Sequence, residues 1–257
     1  MANFYEVKNQ TKDSADIYIY GTISRYAWFD DTEDIPSNSS IRTVSGQLKN
    51  IAENTNHINL YINSPGGDAS EGIAIANWLS RQPFEIDVYI DALCASIATV
   101  IAFGCGGKVH IYDNATCMIH NAWGDPGPSN SEELRALADR LDVYNKSILS
   151  TYMRKANGSI TEQDIADMMD AETWLSADDC IRYGFADDKI TSTATVAACL
   201  PDEYREKYKN IPKNLLENAV HNEENPSEPE PEKAPEMPEE VKSLISLARA
   251  TIQEVSL

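Results

Sequence analysis

The sequence predicts an α/β fold assembled from repeated strand–helix–strand units, and three observations carry that reading. Short apolar runs suited to strands recur at residues 16–20, 57–62, 86–90 and 108–112. Between them lie stretches whose apolar residues step by three or four, at 41–51, 70–81 and 96–103. Turn-forming residues, above all Ser64-Pro65-Gly66-Gly67, sit at the junctions between the two kinds of segment.

In chain order, residues 1–14 are polar and are expected to form a loose N-terminal arm ahead of a main domain spanning 15–200. Asp16 to Tyr20 alternates apolar and polar positions and reads as the first strand. Residues 21–38 hold turn-formers and the acids Asp30, Asp31, Glu33 and Asp34, which predicts a loop. Ile41, Val44, Leu48 and Ile51 are spaced by 3, 4 and 3, which is one helical face. His57 to Ile62 reads as a buried strand. Ser64 to Gly67 then turns the chain into a helix over 70–81, with Ile73, Ile75, Ala76 and Leu79 available for burial. Ile86 to Ile90 is the next strand; Asp91 to Ala98 forms a small-residue elbow, and a helix over 96–103 precedes a strand over 108–112.

The second half is more helical. Residues 123–130 are rich in Pro, Gly and Asn and read as an exposed loop. The longest helical pattern runs over 131–155, with Leu134, Leu137, Leu141, Tyr144, Ile148 and Tyr152 on one stripe and Asn157-Gly158 as its stop. Such a stripe is ordinarily core. Thr161 to Asp164 and Ser176 to Asp179 both resemble capped helix starts. Residues 201–221 are assigned to a C-terminal extension. Residues 222–240 contain eight Glu, five Pro and one Lys, too little apolar surface to offset the entropy of ordering, and are expected to be a disordered linker. Val241, Leu244, Ile245, Leu247, Ala248 and Ile252 give residues 241–257 the pattern of a short amphipathic helix, marginal by itself. The abrupt change near residue 220 motivates the expectation of a propeptide-like tail cut by the protein itself.

Composition narrows the function. A net charge of −20 argues against a nucleic-acid backbone as partner, because phosphate binding is carried by Lys and Arg. The five cysteines (Cys94, Cys105, Cys117, Cys180 and Cys199) lack C-x-x-C spacing, so zinc and a disulfide framework are not expected and reduced buried thiols fit better. Residues 1–6 lack a basic region leading into an apolar run, and no uncharged apolar stretch reaches the ~18 residues of a membrane helix. The expectation is a cytoplasmic protein without membrane contact. There is no P-loop, dinucleotide fingerprint or metal-ligand cluster in the sequence, so no cofactor is expected.

The chemistry gathers at two turns. Ser96 falls where a strand gives way to a helix, beside that helix's N-terminus and the amides of Gly66-Gly67, a place suited to generating and holding an oxyanion. His120 ends the apolar run Cys117-Met118-Ile119 and is the candidate base; as a lone histidine it would be an ordinary strand-end residue. The Asn63 side chain is expected to support the turn rather than meet substrate.

The SPGG turn, the Ala95-Ser96 pair, Met118-Ile119-His120, the block Thr173-Trp174-Leu175-Ser176-Ala177 and the segment Tyr183-Gly184-Phe185-Ala186-Asp187 together resemble the ClpP family of serine proteases. The Glu172-Thr173-Trp174-Leu175 wording is similar to that of phage ClpP-like prohead proteases. The resemblance covers residues 17–190. It implies the ClpP/crotonase type of α/β fold, a spiral of βαβ units in which the helix after the catalytic histidine projects as a handle between rings. It implies Ser96 as nucleophile, His120 as base, and the backbone N–H groups of Gly67 and Ile97 as the oxyanion hole. The orienting acid departs from the family pattern: the matching position holds Glu172, and Asp170 is the alternative. The resemblance further implies a homo-oligomeric ring (a heptamer or stacked rings) acting on protein or peptide substrates, with phage scaffold or capsid proteins as candidates. Three rivals stand beside it. They are a housekeeping ClpP working with an ATP-driven unfoldase, a crotonase-like acyl-CoA enzyme that would need neither Ser96 nor His120, and an inactive assembly protein of the same fold.

Overall fold

The computed structural model describes residues 4–8, 11, 13–25, 40–45, 55–192, 198 and 200–217. The expected linker at 222–240 and helix at 241–257, with the proposed cut near 220, lie outside the described residues. So do most of the acidic loop and the second half of the helix expected over 41–51, of which residues 41–45 are helical.

Among the described residues, eight strands form one mixed, mostly parallel sheet. β1 (Phe4–Lys8), β2 (Ser14–Tyr20), β3 (His57–Ser64), β4 (Glu85–Ala95), β5 (Lys108–Tyr112) and β8 (Asp188–Ile190) lie side by side in the order 1-2-3-4-5-8. β6 (Thr116–Ile119) pairs with β4 and with β7 (Thr173–Ser176). All pairings are parallel except β1 with β2 and β6 with β7. The stretch expected as a loose arm therefore contains a strand. Its alternation was too short to separate from polar loop, and the neighbouring β2 edge supplies the backbone partners that order it.

Besides residues 41–45, the helices among the described residues are α1 (Ala69–Leu79), α2 (Ile97–Gly104), α3 (Ser131–Ala156), α4 (Glu162–Asp170), α5 (Ala177–Arg182), α6 (Asp202–Arg205) and α7 (Lys213–Glu217). Their ends follow the local chemistry. Asp68 accepts the N–H groups of Ser70 and Glu71 to start α1, and Asn130, Thr161 and Ser176 each open a capping box. Asn157 stops α3 in the left-handed conformation at φ 47°.

Ile17, Ile19, Leu60, Ile62, Val88 and Ile90 alternate onto the buried side of the sheet, against α1 and α2. On the other face Tyr18, Tyr61, Tyr89 and His110 stack in a row across β2 to β5, with ring centroids 4.7, 5.0 and 4.9 Å apart. Only the base of α3 is core: Ile148, Tyr152 and Ala156 are buried, whereas Leu134 and Val143 are exposed. The stripe seen in the sequence thus splits into an anchored end and a projecting end. Among the described residues, no helix is long and apolar enough to cross a membrane.

Residues 201–217 of the assigned C-terminal extension pack against the main domain. Leu200, Tyr204, Tyr208 and Leu215 are buried in a second cluster with Leu93, Ala95 and Met118 from β4 and β6. Compactness places the described residues in one unit.

Gly72 shows how tightly α1 meets α2. A Cβ at Gly72 would lie 2.3 Å from Cγ1 of Ile97, a buried β-branched side chain with little rotamer freedom. Alanine would gain about 1 kcal/mol of helix propensity, against an overpacking cost of about 1–3 kcal/mol. The clash is expected to win. Gly72→Ala should lower the midpoint of thermal unfolding measured by circular dichroism, although Gly→Ala in an open helix would raise it.

Candidate functional site

Strand register builds the site. β4 is long because it serves two neighbours: Asp87 to Ile90 pair with β5, and Leu93 to Ala95 pair with Thr116 to Met118 of β6. Ser96 follows directly on β4 and His120 directly on β6, so this parallel pairing delivers both to the same strand ends. Their side chains meet, with Ser96 Oγ 2.7 Å from His120 Nε2.

Ser96 occupies φ 55°, ψ −129°, a conformation that costs a non-glycine residue about 1–3 kcal/mol and persists only where its surroundings over-determine it. They do. The Ser96 N–H donates to Met118 O at 2.8 Å, and the Ser96 carbonyl accepts both the N–H and the hydroxyl of Thr99. Tyr152 in turn donates its hydroxyl to Thr99 Oγ1 at 2.6 Å, which ties the base of α3 to the elbow.

The glycine turn lies against the serine. A Cβ on Gly66 would sit 2.6 Å from Ser96 Cβ, and one on Gly67 would sit 1.9 Å from Ile23 O. With φ values of 97° and 146°, neither position suits another residue. Ser64 Oγ accepts the Gly66 N–H at 3.1 Å and donates to Gly21 O at 2.7 Å. Ile23 N donates to Gly66 O and Asp68 N to Ile23 O, both at 2.8 Å, a parallel bridge that uses the carbonyl before Gly67 and the N–H after it. The Gly67 N–H, and that of Ile97 in the first turn of α2, have no backbone acceptor among the described residues. Both residues line one cleft of about 700 Å³ together with Ser96, His120, Trp123, Tyr144 and Tyr208. Asn63 is buried, and its Oδ1 accepts the Leu93 N–H at 3.3 Å, which is the supporting role expected of it.

The carboxylates are placed differently. Antiparallel pairing of Ile119 with Thr173 brings the backbone of Glu172 opposite His120. The Glu172 carboxylate nevertheless accepts the N–H of Lys209, from a residue whose φ is 50°. Asp170 Oδ1 accepts Asn121 Nδ2 at 2.5 Å. Among the described residues neither carboxylate hydrogen-bonds to His120. Accordingly its imidazole, only 8% exposed, is pushed down to about 4 by burial.

Tyr208 is the site residue that the sequence reading missed. Its hydroxyl donates to Pro65 O at 2.5 Å, and its ring meets the His120 ring edge-on with centroids 5.4 Å apart. A signal existed: Leu200, Tyr204, Tyr208, Ile211 and Leu215 advance by 4, 4, 3 and 4, the spacing of a packed face.

Residues 12–193 match the family described as Clp protease. A Streptococcus pneumoniae protein named ATP-dependent Clp protease proteolytic subunit is 30% identical over 157 residues, 61% of this chain and 79% of that one. Its Streptococcus gordonii counterpart is 31% identical over 137 residues, 53% of this chain and 69% of that one. A mutant ClpP1 from Listeria monocytogenes superposes with a TM-score of 0.56 at 20% identity, covering 69% of this chain and 92% of that chain, which supports the fold alone. The chain belongs to the Clp protease family, and its α/β fold is ClpP-like.

A buried imidazole with no carboxylate partner among the described residues has a kinetic signature. General-base action needs the neutral ring, and kcat/KM reports the free enzyme. With the His120 pKa near 4, kcat/KM for a neutral ester substrate should hold level down to about pH 4 and then fall about tenfold per unit. An acid limb at pH 6.5 or above would mean that a carboxylate already engages His120 in the free protein.

Proposed function

We propose that this chain is a serine endopeptidase in which Ser96 attacks the peptide carbonyl and His120 Nε2 takes the hydroxyl proton. The oxyanion that forms is held by the N–H groups of Gly67 and Ile97. Collapse of the tetrahedral intermediate expels the amine, which receives the proton from His120, and water then releases the acyl group by the reverse sequence. Glu172, opposite His120 in the strand register, is assigned as the acid that stabilises the imidazolium as charge develops, with Asp170 the alternative. The reading rests above all on the 2.7 Å contact of Ser96 Oγ with His120 Nε2 beside two unpaired amides in a cleft. An acyl-CoA reading would leave that contact without a purpose.

We assign the protein to a cytoplasmic homo-oligomeric ring (the host cytoplasm if it is phage-encoded) that processes scaffold or capsid proteins in phage head assembly. The similarity of the Glu172 to Leu175 wording and the acidic tail support this reading. The curated relatives' name, ATP-dependent Clp protease proteolytic subunit, favours a second one, a peptidase fed by an ATP-driven unfoldase. Unfolded casein distinguishes activity from scaffold: wild type should cleave it unaided, and Ser96→Ala and His120→Ala should each lose about 10⁴-fold or more. Cleavage by Ser96→Ala at the wild-type rate would overturn the assignment.

The projecting half of α3 carries Leu134 and Val143 at 46% and 64% exposure, apolar surface suited to a second copy. Replacing both with Glu should reduce the mass measured by light scattering while leaving the circular dichroism spectrum unchanged.

A further inference from the structure

Two consecutive residues beyond the family-matched region touch the glycine turn, the His120 ring and the Glu172 carboxylate. Tyr208 donates its hydroxyl to Pro65 O, on the turn that carries Gly66 and Gly67, and sets its ring against His120. Lys209 gives its N–H to the Glu172 carboxylate and its carbonyl to the Trp174 indole N–H at 3.0 Å. The Lys209 peptide groups are thus clamped from both sides by the strand end opposite His120. Leu200, Tyr204 and Leu215 bury the same segment against Leu93, Ala95 and Met118, under the strands that end at Ser96 and His120. On its outer side the Lys207 ammonium lies 5.1 Å from the centre of the Trp123 ring, in the loop after His120.

We propose that Tyr208 is a positioning residue for the reaction, and that the active site of this chain is incomplete without the segment 200–217. The inference rests on the serine-hydrolase reading above and goes beyond it. One phenol holds the oxyanion turn by its hydroxyl and the base by its ring, so the spacing between donor amides and imidazole is set by a single rigid body. Burial pushes the phenol's ionisation far upward, so the hydroxyl remains a donor throughout the working range. The Tyr208 ring also covers the imidazole that would otherwise be wet. The strand ends alone do not fix these relations. Pro65 and His120 belong to segments separated by the whole of β4, and the glycine turn has no Cβ atoms with which to interlock.

Burst kinetics with p-nitrophenyl acetate tests this in the full-length protein, because burst amplitude counts working sites and the burst rate measures acylation per site. Wild type should show a burst of one equivalent per chain. Tyr208→Ala should keep its amplitude but acylate about 10²-fold more slowly per site, the scale of loss for misplaced reacting groups. Tyr208→Phe keeps the ring against His120 and loses the hydroxyl's hydrogen bonds with Pro65 and Ser96, so it should recover to within about tenfold of wild type. A purely structural role would lower amplitude and leave the rate per remaining site unchanged, which would overturn the proposal. So would an unchanged or faster burst in Tyr208→Ala, the second of these marking the segment as an inhibitory plug. No burst from folded wild type would instead sink the serine-hydrolase reading, and the inference with it.

Discussion

Everything at this centre depends on the short parallel pairing of Leu93–Ala95 with Thr116–Met118. Parallel strands cannot be joined by a tight turn, so the chain between them must leave the sheet and return. Here it leaves as α2, and the first residue after β4 has to break direction at once. Ser96 absorbs that break at φ 55° and is held by bonds from Ser96 to Met118 and Thr99. The strained residue and the strand partner are therefore one feature. The bond that fixes Ser96 runs to the strand that leads into His120, so elbow and imidazole cannot drift apart without losing a ladder contact.

The second constraint is close approach. Gly66 and Gly67 bring backbone where side chains would collide with Ser96 and Ile23, and at the cleft the amides of Gly67 and Ile97 have no backbone acceptor among the described residues. An unpaired amide is a liability in a core and an asset at a site where charge develops. The segment 200–217 then closes the arrangement from a part of the chain more than 100 residues beyond the turn. A buried tyrosine whose hydroxyl donates across to Pro65 gives that closure direction as well as area.

Much of this was legible in the sequence because it is written in short-range chemistry. Strand and helix periodicities, the Thr161 and Ser176 caps and the Asn157 stop all act within a few residues, and each of these caps is found where the spacing put it. Ser96 and His120 could be named because their neighbours form recognisable local patterns. What was not legible is what the far end of the chain contributes. Phe4–Lys8 becomes a strand only because β2 offers an edge, and Leu200–Leu215 acquires its meaning only from Leu93 and Met118. Glu172 divides along the same line: register places its backbone opposite His120, but Lys209, a long-range partner, takes its carboxylate.

The measurement that bears most directly on the account is the intact mass of the folded protein after treatment with a fluorophosphonate, followed by peptide mapping. Such a reagent modifies a serine only where neighbouring groups activate it. The account predicts one adduct per chain, on Ser96, and none when His120 is replaced by alanine. An adduct on any other serine, or an unmodified Ser96 in the assembled wild-type protein, would contradict it.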